Sequence, residues 1–276
     1  MGRNKSRSSL QATGGYHAKK QFGQNFLRDE GIIDTIINTI APSDNATMVE
    51  IGPGLGALTE PVCERIRHLS VIEIDRDLAE QLRHHPFIRD QLTIYEEDAL
   101  SFDFSKLKED DKPLRIYGNL PYNISTPLLF HLFSFGSLIQ DMHFMLQKEV
   151  VDRLTAVPDT KDYGKLTIMG QYYSKMMPFL EVPPSAFTPS PKVDSAVIKI
   201  IPYVAKPFVA DDEKLMHRVV ASAFNQRRKT ISNSMSEYLN SDDFCALGLD
   251  PKSRAENLTV EQYVRITNYL SQKEHA

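Results

Sequence analysis

Tryptophan is absent from this 276-residue chain, and cysteine occurs only twice, at Cys63 and Cys245. Two cysteines so far apart form neither a disulfide framework nor a ligand pair, which points to a reducing compartment, the cytoplasm. The eight histidines are scattered, adjacent His84 and His85 point in different directions, and no pair sits one helical turn apart. No metal site is expected on that pattern. Long apolar runs are also missing. Nothing approaches the length of a membrane span, and the first residues, MGRNKSRSSLQATGG, lack the apolar core of a signal peptide. The expectation is a cytoplasmic protein with no membrane partner.

Acidic residues are missing from the N-terminus. Residues 1–28 hold Arg3, Lys5, Arg7, Lys19, Lys20 and Arg28 and no Asp or Glu, although the whole chain carries a net charge of −4. A basic arm on an acidic body suits local contact with phosphate, or serves as a solvated tail. Residues 1–15, rich in Ser and Gly, are read as a disordered basic tail.

What is present is an alternation of strand and helix signals over the first two thirds. Ile32, Ile33, Ile36, Ile37 and Ile40 recur at helical spacing over residues 29–40. Strands follow at 48–52, 69–75, 91–98, 114–119 and 141–147, separated by helices at 58–69, 77–85, 125–135 and 148–155. That order implies a mostly parallel sheet covered on both faces. Two further strands, KMMPFLEV and DSAVIKIIPYV, bring the sheet to seven. After AKPF (205–208) the signals are purely helical, at 211–224, 230–239, 242–247 and 259–271. A boundary near residue 204 therefore divides residues 16–204 from a small all-α C-terminal domain, 205–276.

Chemistry concentrates at the strand ends. EIGPGLGALTE (50–60) follows the first sheet strand and opens a helix, so Gly52, Gly54 and Gly56 let the backbone approach a ligand. Glu73 closes the next strand about 20 residues on, where a carboxylate accepts from both hydroxyls of a ribose. Asp98 closes the third; it either accepts from an adenine amine or caps a turn. The fourth strand delivers Asn119-Leu120-Pro121-Tyr122. Proline stops the strand and stiffens the bend. The glycine turn and Glu73 alone also fit a nicotinamide-dependent oxidoreductase.

The Asn-x-Pro-aromatic run resembles the active-site motif of S-adenosylmethionine-dependent methyltransferases that act on exocyclic amines of bases. GQNFLRD (23–29), EIGPGLGALT, VIEIDRD, EEDAL, YGNLPYNIS, FTPSPKVDSAV (187–197) and AFNQRRKT (223–230) stand in the order and spacing of one family. It is the ribosomal RNA adenine N6,N6-dimethyltransferases, in particular the bacterial small-subunit branch linked to kasugamycin sensitivity. Leu120 is similar to that branch, whereas the macrolide-resistance enzymes of large-subunit RNA more often have Ile there.

The resemblance implies a Rossmann-like class I S-adenosylmethionine methyltransferase sheet with an α-helical C-terminal domain that docks on RNA. It implies that Asn25 and Leu27 touch the methionine part of the cofactor, with Gly52 and Gly54 at its turn. Glu73 would take the ribose, Asp98 the adenine, and Asn119 the cofactor edge and the target amine. Asn119 and the Leu120 carbonyl would accept the two N–H bonds of that amine, with Tyr122 and Phe187 as stacking faces for a flipped base. Arg227, Arg228, Lys229, Lys192, Lys19 and Lys20 would meet RNA phosphates. The implied partner is 16S rRNA in the immature 30S subunit, where a monomer puts two methyls on each of two adjacent adenines of the 3′-terminal hairpin loop. A non-catalytic assembly factor on the same scaffold is the alternative from a different class.

Overall fold

The structure is a computed structural model that describes residues 24–109 and 111–274. The expected tail 1–15 and the basic candidates Lys19 and Lys20 lie outside the described residues. In chain order the elements are β1 (Phe26–Leu27), α1 (Glu30–Ile40), β2 (Thr47–Ile51), α2 (Thr59–Cys63), β3 (Leu69–Ile72), α3 (Arg76–Arg83), β4 (Leu92–Tyr95) and β5 (Leu114–Asn119). They continue with α4 (Ser125–Phe133), β6 (Ile139–Gln147), α5 (Lys148–Thr155), α6 (Lys165–Tyr173), β7 (Ser174–Val182), β8 (Phe187–Thr188) and β9 (Ser195–Pro202). The chain closes with α7 (Glu213–Asn225), α8 (Ile231–Ser234), α9 (Ser241–Ala246) and α10 (Val260–Glu274).

Seven strands form one sheet in the order β4-β3-β2-β5-β6-β9-β7. The pairs β2–β3, β2–β5, β3–β4 and β5–β6 are parallel. The chain starts in the middle at β2, steps outward to β4, then returns to β5 on the other side. That reversal leaves the C-terminal ends of β2 and β5 side by side, the place where open α/β sheets bind ligands. The two-residue strands β1 and β8 pair antiparallel outside this sheet, matching Phe26 with Thr188 and Leu27 with Phe187.

Helix α1 shows how local signals and burial combine. Asp29 caps it, accepting from the Ile32 N–H at 3.0 Å, and Ala41 ends it in the left-handed region. Ile36, Ile37 and Ile40 are buried. At ~1.5–3 kcal/mol for each buried aliphatic side chain against ~1 for a cap, packing dominates. Helix α2 is shorter than the expected 58–69. Asp44 captures the Arg67 N–H at 2.9 Å and its Nε at 3.0 Å, which draws that segment out of helical register.

The described residues divide into two compact units. One comprises residues up to 148 with 179–199; the other comprises 149–178 with residues from 200 onward. The helical unit thus includes α6, which the sequence places before its boundary at residue 204. Within that unit α6 packs on α7 and α10, and Tyr173 donates to Glu213 at the start of α7 at 3.0 Å.

Among the described residues, no helix is long and apolar enough to cross a membrane. No group of three His, Cys, Asp or Glu among them is placed to hold a metal ion.

Candidate functional site

A cavity of about 260 Å³ opens over the C-terminal ends of β2, β3, β4 and β5. Asn25, Leu27, Gly52, Gly54, Glu73, Asp98, Asn119, Leu120 and Tyr122 all line it, so the fold brings together candidate residues up to 97 positions apart in the chain. Phe187 does not. It is 3% exposed and packs in the core with Leu27, its partner across the β1–β8 pair. A stacking face needs an open ring, and this ring is an apolar anchor; the expectation for Phe187 is corrected on that ground.

The turn after β2 is built by backbone that L side chains rarely adopt. Gly52 and Gly54 have φ of +66° and +57°, and a Cβ on Gly54 would come within 3.2 Å of the Phe26 ring. This conformation aims the Gly54 N–H at Glu73 Oε2, 3.2 Å away, while Glu73 Oε1 accepts from the Asp75 N–H at 2.9 Å. Burial raises the Glu73 pKa, and those two backbone donors oppose the rise.

Asp98 is exposed and folds an Asx turn, its Oδ1 accepting from the Leu100 N–H at 2.9 Å. Asp98 Oδ2 lies outside that bond.

The end of β5 is fixed from three directions. Asn119 Nδ2 donates to the Asn25 carbonyl at 3.0 Å. The Leu120 N–H donates to the Met145 carbonyl at 3.2 Å, extending the β5–β6 ladder one residue. The Pro121 carbonyl accepts from the Ile124 N–H at 3.2 Å and from Ser125 Oγ at 3.1 Å. Gly118 makes the approach possible: a Cβ there would lie 2.3 Å from the Ile51 carbonyl oxygen. Tyr122, half-buried, bonds through its hydroxyl to Ser195 Oγ at 2.9 Å.

Sequence reading missed Glu50. It is 1% exposed on β2, lines the cavity, and accepts from the Tyr117 hydroxyl at 3.1 Å. Burial pushes its carboxyl up to about 8. The signal was available, since a strand residue two before the first glycine of the turn points to the same side as that turn. It was hidden by the apolar neighbours of MVEIG.

The basic candidates fare unequally. Arg227 Nε donates to Glu256 at 3.0 Å, and its Nη2 bonds the carbonyls of Lys161 and Tyr163. These contacts hold three segments of the helical unit together. Arg228, Lys229 and Lys192 are exposed.

Four carboxyl side chains, Glu50, Glu73, Glu97 and Asp98, line the cavity among the described residues, with no Lys or Arg. Burial keeps Glu50 protonated at neutral pH, so the acidic lining comes from Glu73, Glu97 and Asp98, and it suits a cofactor with cationic groups better than a pyrophosphate. A mostly parallel sheet with such a crevice and an Asn-x-Pro-Tyr tip fits an S-adenosylmethionine-dependent methyltransferase, the class to which the family match assigns the chain. The family model described as ribosomal RNA adenine dimethylase matches residues 15–272, and the chain belongs to that family.

Among its relatives, the ribosomal RNA small subunit methyltransferase A of Shewanella loihica is 55% identical over 262 residues, 95% of this chain and 97% of that protein. The protein of the same name from Yersinia pestis is 56% identical over 258 residues, 93% of this chain and 95% of that one. Of solved structures, a dimethyladenosine transferase from Plasmodium falciparum superposes with a TM-score of 0.75 at 24% identity, covering 90% of this chain and 98% of its own. The 23S rRNA methyltransferase ErmE gives 0.69, also at 24%, covering 90% and 100%. At that identity the two structures attest the fold.

Proposed function

We propose that this chain dimethylates N6 of two adjacent adenines in the 3′-terminal hairpin loop of 16S rRNA. It does so on the immature 30S subunit in the cytoplasm, as a monomer and without a metal. The observation that carries this reading is the pairing of a cation-seeking crevice with an amide whose orientation is fixed. The names of the relatives, ribosomal RNA small subunit methyltransferase A, support the choice of RNA.

Asn25, Leu27, Gly52 and Gly54 would hold the methionine part of the cofactor, Glu73 its ribose and Asp98 its adenine. When bound, S-adenosylmethionine supplies an electrophilic methyl group. The difficulty lies with the target amine, whose lone pair is delocalised into the adenine ring. Asn119 Nδ2 is engaged by the Asn25 carbonyl, so Oδ1 is the end left for the amine. Proline has no N–H, and the Pro121 carbonyl already takes two donors, so the Leu120 carbonyl is the second acceptor.

Two acceptors for two N–H groups favour a pyramidal nitrogen with its lone pair outside the ring plane. Tyr122 gives the base a face worth ~1–3 kcal/mol, against the few kcal/mol that extruding it costs. Attack leaves the nitrogen positively charged and acidic, and its proton passes to water without a strong general base. Rate comes from alignment and from acceptors aimed at developing positive charge.

In this reading the helical unit docks the enzyme on the subunit. Arg228 and Lys229 there, and Lys192 on the loop before β9, meet phosphates. A nicotinamide-dependent reaction is disfavoured by the acidic lining of Glu73, Glu97 and Asp98, which would face a pyrophosphate. The test is transfer of labelled methyl from S-adenosylmethionine to small subunits lacking the modification. Label in N6,N6-dimethyladenosine is expected. Calorimetric binding of NAD with no binding of S-adenosylmethionine would overturn the reading.

A further inference from the structure

We propose that Ser195 is a positioning residue for methyl transfer: its hydroxyl locks the Tyr122 ring in the plane on which the target base stacks. The inference rests on the assignment of Tyr122 as the stacking floor and extends it to a residue 73 positions away.

Tyr122 sits in the turn after β5, where only its backbone end is held by the β5 tip. Both donors to the Pro121 carbonyl fix that end. The far end of the ring projects along the cavity wall, and its hydroxyl meets Ser195 Oγ at 2.9 Å. Ser195 opens β9 and is 0% exposed, so its hydroxyl is closed off from water. The Tyr122 hydroxyl is the partner that satisfies it. Were the ring to swing away, a buried hydroxyl would lose its bond, and that penalty holds the ring still. Burial also raises the Tyr122 pKa, which keeps its hydroxyl neutral and able to donate.

The preceding segment, Pro189 to Asp194, ends in a second fixed point. The Asp194 carbonyl accepts from the Lys148 N–H at 2.9 Å, just past the end of β6. Ser195 therefore stands on rigid backbone, and the ring is held at two ends.

This matters most for the second methyl. The monomethylated amine is bulkier and has one N–H left to give, so it loses one of the two hydrogen bonds that aligned it first. Stacking must then carry more of the alignment. A ring free to tilt should slow both transfers and leave monomethyladenine behind.

The experiment compares single-turnover methyl transfer to unmodified small subunits by the wild type, Tyr122→Phe, Ser195→Ala and the double variant. Monomethyl and dimethyl products are separated, and the dissociation constant for S-adenosylmethionine is measured by calorimetry. Each single variant is expected to lose about tenfold in rate and to accumulate monomethyladenine, with cofactor affinity unchanged. The double variant should match the singles, because both remove one bond.

Wild-type behaviour of Tyr122→Phe would overturn the proposal. So would a Ser195→Ala loss that adds in full to that of Tyr122→Phe. If Ser195→Ala does not fold, Tyr122→Phe alone decides, through its product ratio. Tyr122→Ala separates the two levels: full activity there would sink the stacking role itself, whereas impaired Tyr122→Ala beside normal Tyr122→Phe would sink only the role of Ser195.

Discussion

Asn119 Nδ2 donates to the backbone carbonyl of Asn25 at 3.0 Å, across 94 positions of sequence. A carbonyl only accepts, so this contact decides which end of the amide faces the strap of residues 24–28. In the proposed function, the acceptor end is the one that meets the target amine. The Asn119 amide and the strap that the proposed function assigns to the cofactor are one hydrogen-bonded unit.

That relationship predicts the outcome of a conservative exchange. Asn119→Asp would set a carboxylate oxygen against the Asn25 carbonyl and lose the orientation. Turnover is expected to fall by about 10²-fold or more, as for Asn119→Ala. The S-adenosylmethionine dissociation constant should change much less. Wild-type turnover in Asn119→Asp would show that the amide orientation has no role.

Glu50 makes stability depend on pH. Its carboxyl titrates at about 8 in the fold, against an ordinary value of 4.5. Between those values the unfolded chain releases the proton and the folded one keeps it. The contribution of this group to stability therefore falls as pH rises through the window, and below 4.5 both states are protonated alike. Glu50→Gln removes the titration and keeps an acceptor for the Tyr117 hydroxyl. Its melting temperature relative to wild type should rise between pH 5 and pH 8. A difference that is constant with pH would contradict this.

Gly118→Ala should be severe. The added methyl would sit 2.3 Å from the Ile51 carbonyl oxygen, backbone against backbone, with no flexible side chain to yield. A loss of ~2 kcal/mol or more is expected, seen as a melting temperature lower by several degrees. Methyl transfer should fall with it, since Asn119 is the next residue. An unchanged melting temperature would mean that β5 can move off β2 at no cost.

The three consecutive basic residues should separate into two kinds. Arg227→Ala removes donors from two carbonyls and from Glu256, and should cost ~1 kcal/mol of stability. Arg228→Ala and Lys229→Ala should leave stability alone and weaken RNA binding, each lowering the salt slope of affinity by ~1. The reverse pattern in melting curves and salt titrations would mean that the exposed pair is structural.

Much of this architecture was legible because it is local. The glycine turn needs left-handed backbone, and the acids after β3 and β4 follow from strand ends that periodicity marks well. Seven strands could be placed for the same reason. What stayed hidden depends on distant partners. The shortening of α2 turns on Asp44 reaching Arg67. The two-residue strands β1 and β8 carry no periodic signal and exist through their pairing with each other. That pairing also accompanies the burial of Phe187, which only the family resemblance, and no local signal, had cast as a stacking face. The grouping of α6 with the C-terminal helices rests on contacts among α6, α7 and α10 that no spacing in the chain announces.

The most direct test maps the product. Small subunits lacking the modification are incubated with S-adenosylmethionine and wild-type protein or Asn119→Ala, and the 3′-terminal fragment of the 16S rRNA is analysed by mass spectrometry. The wild type should yield two adjacent N6,N6-dimethyladenosines in the terminal hairpin loop, and Asn119→Ala should yield almost none. Unmodified adenines after wild-type treatment, or equal modification by both proteins, would contradict the account.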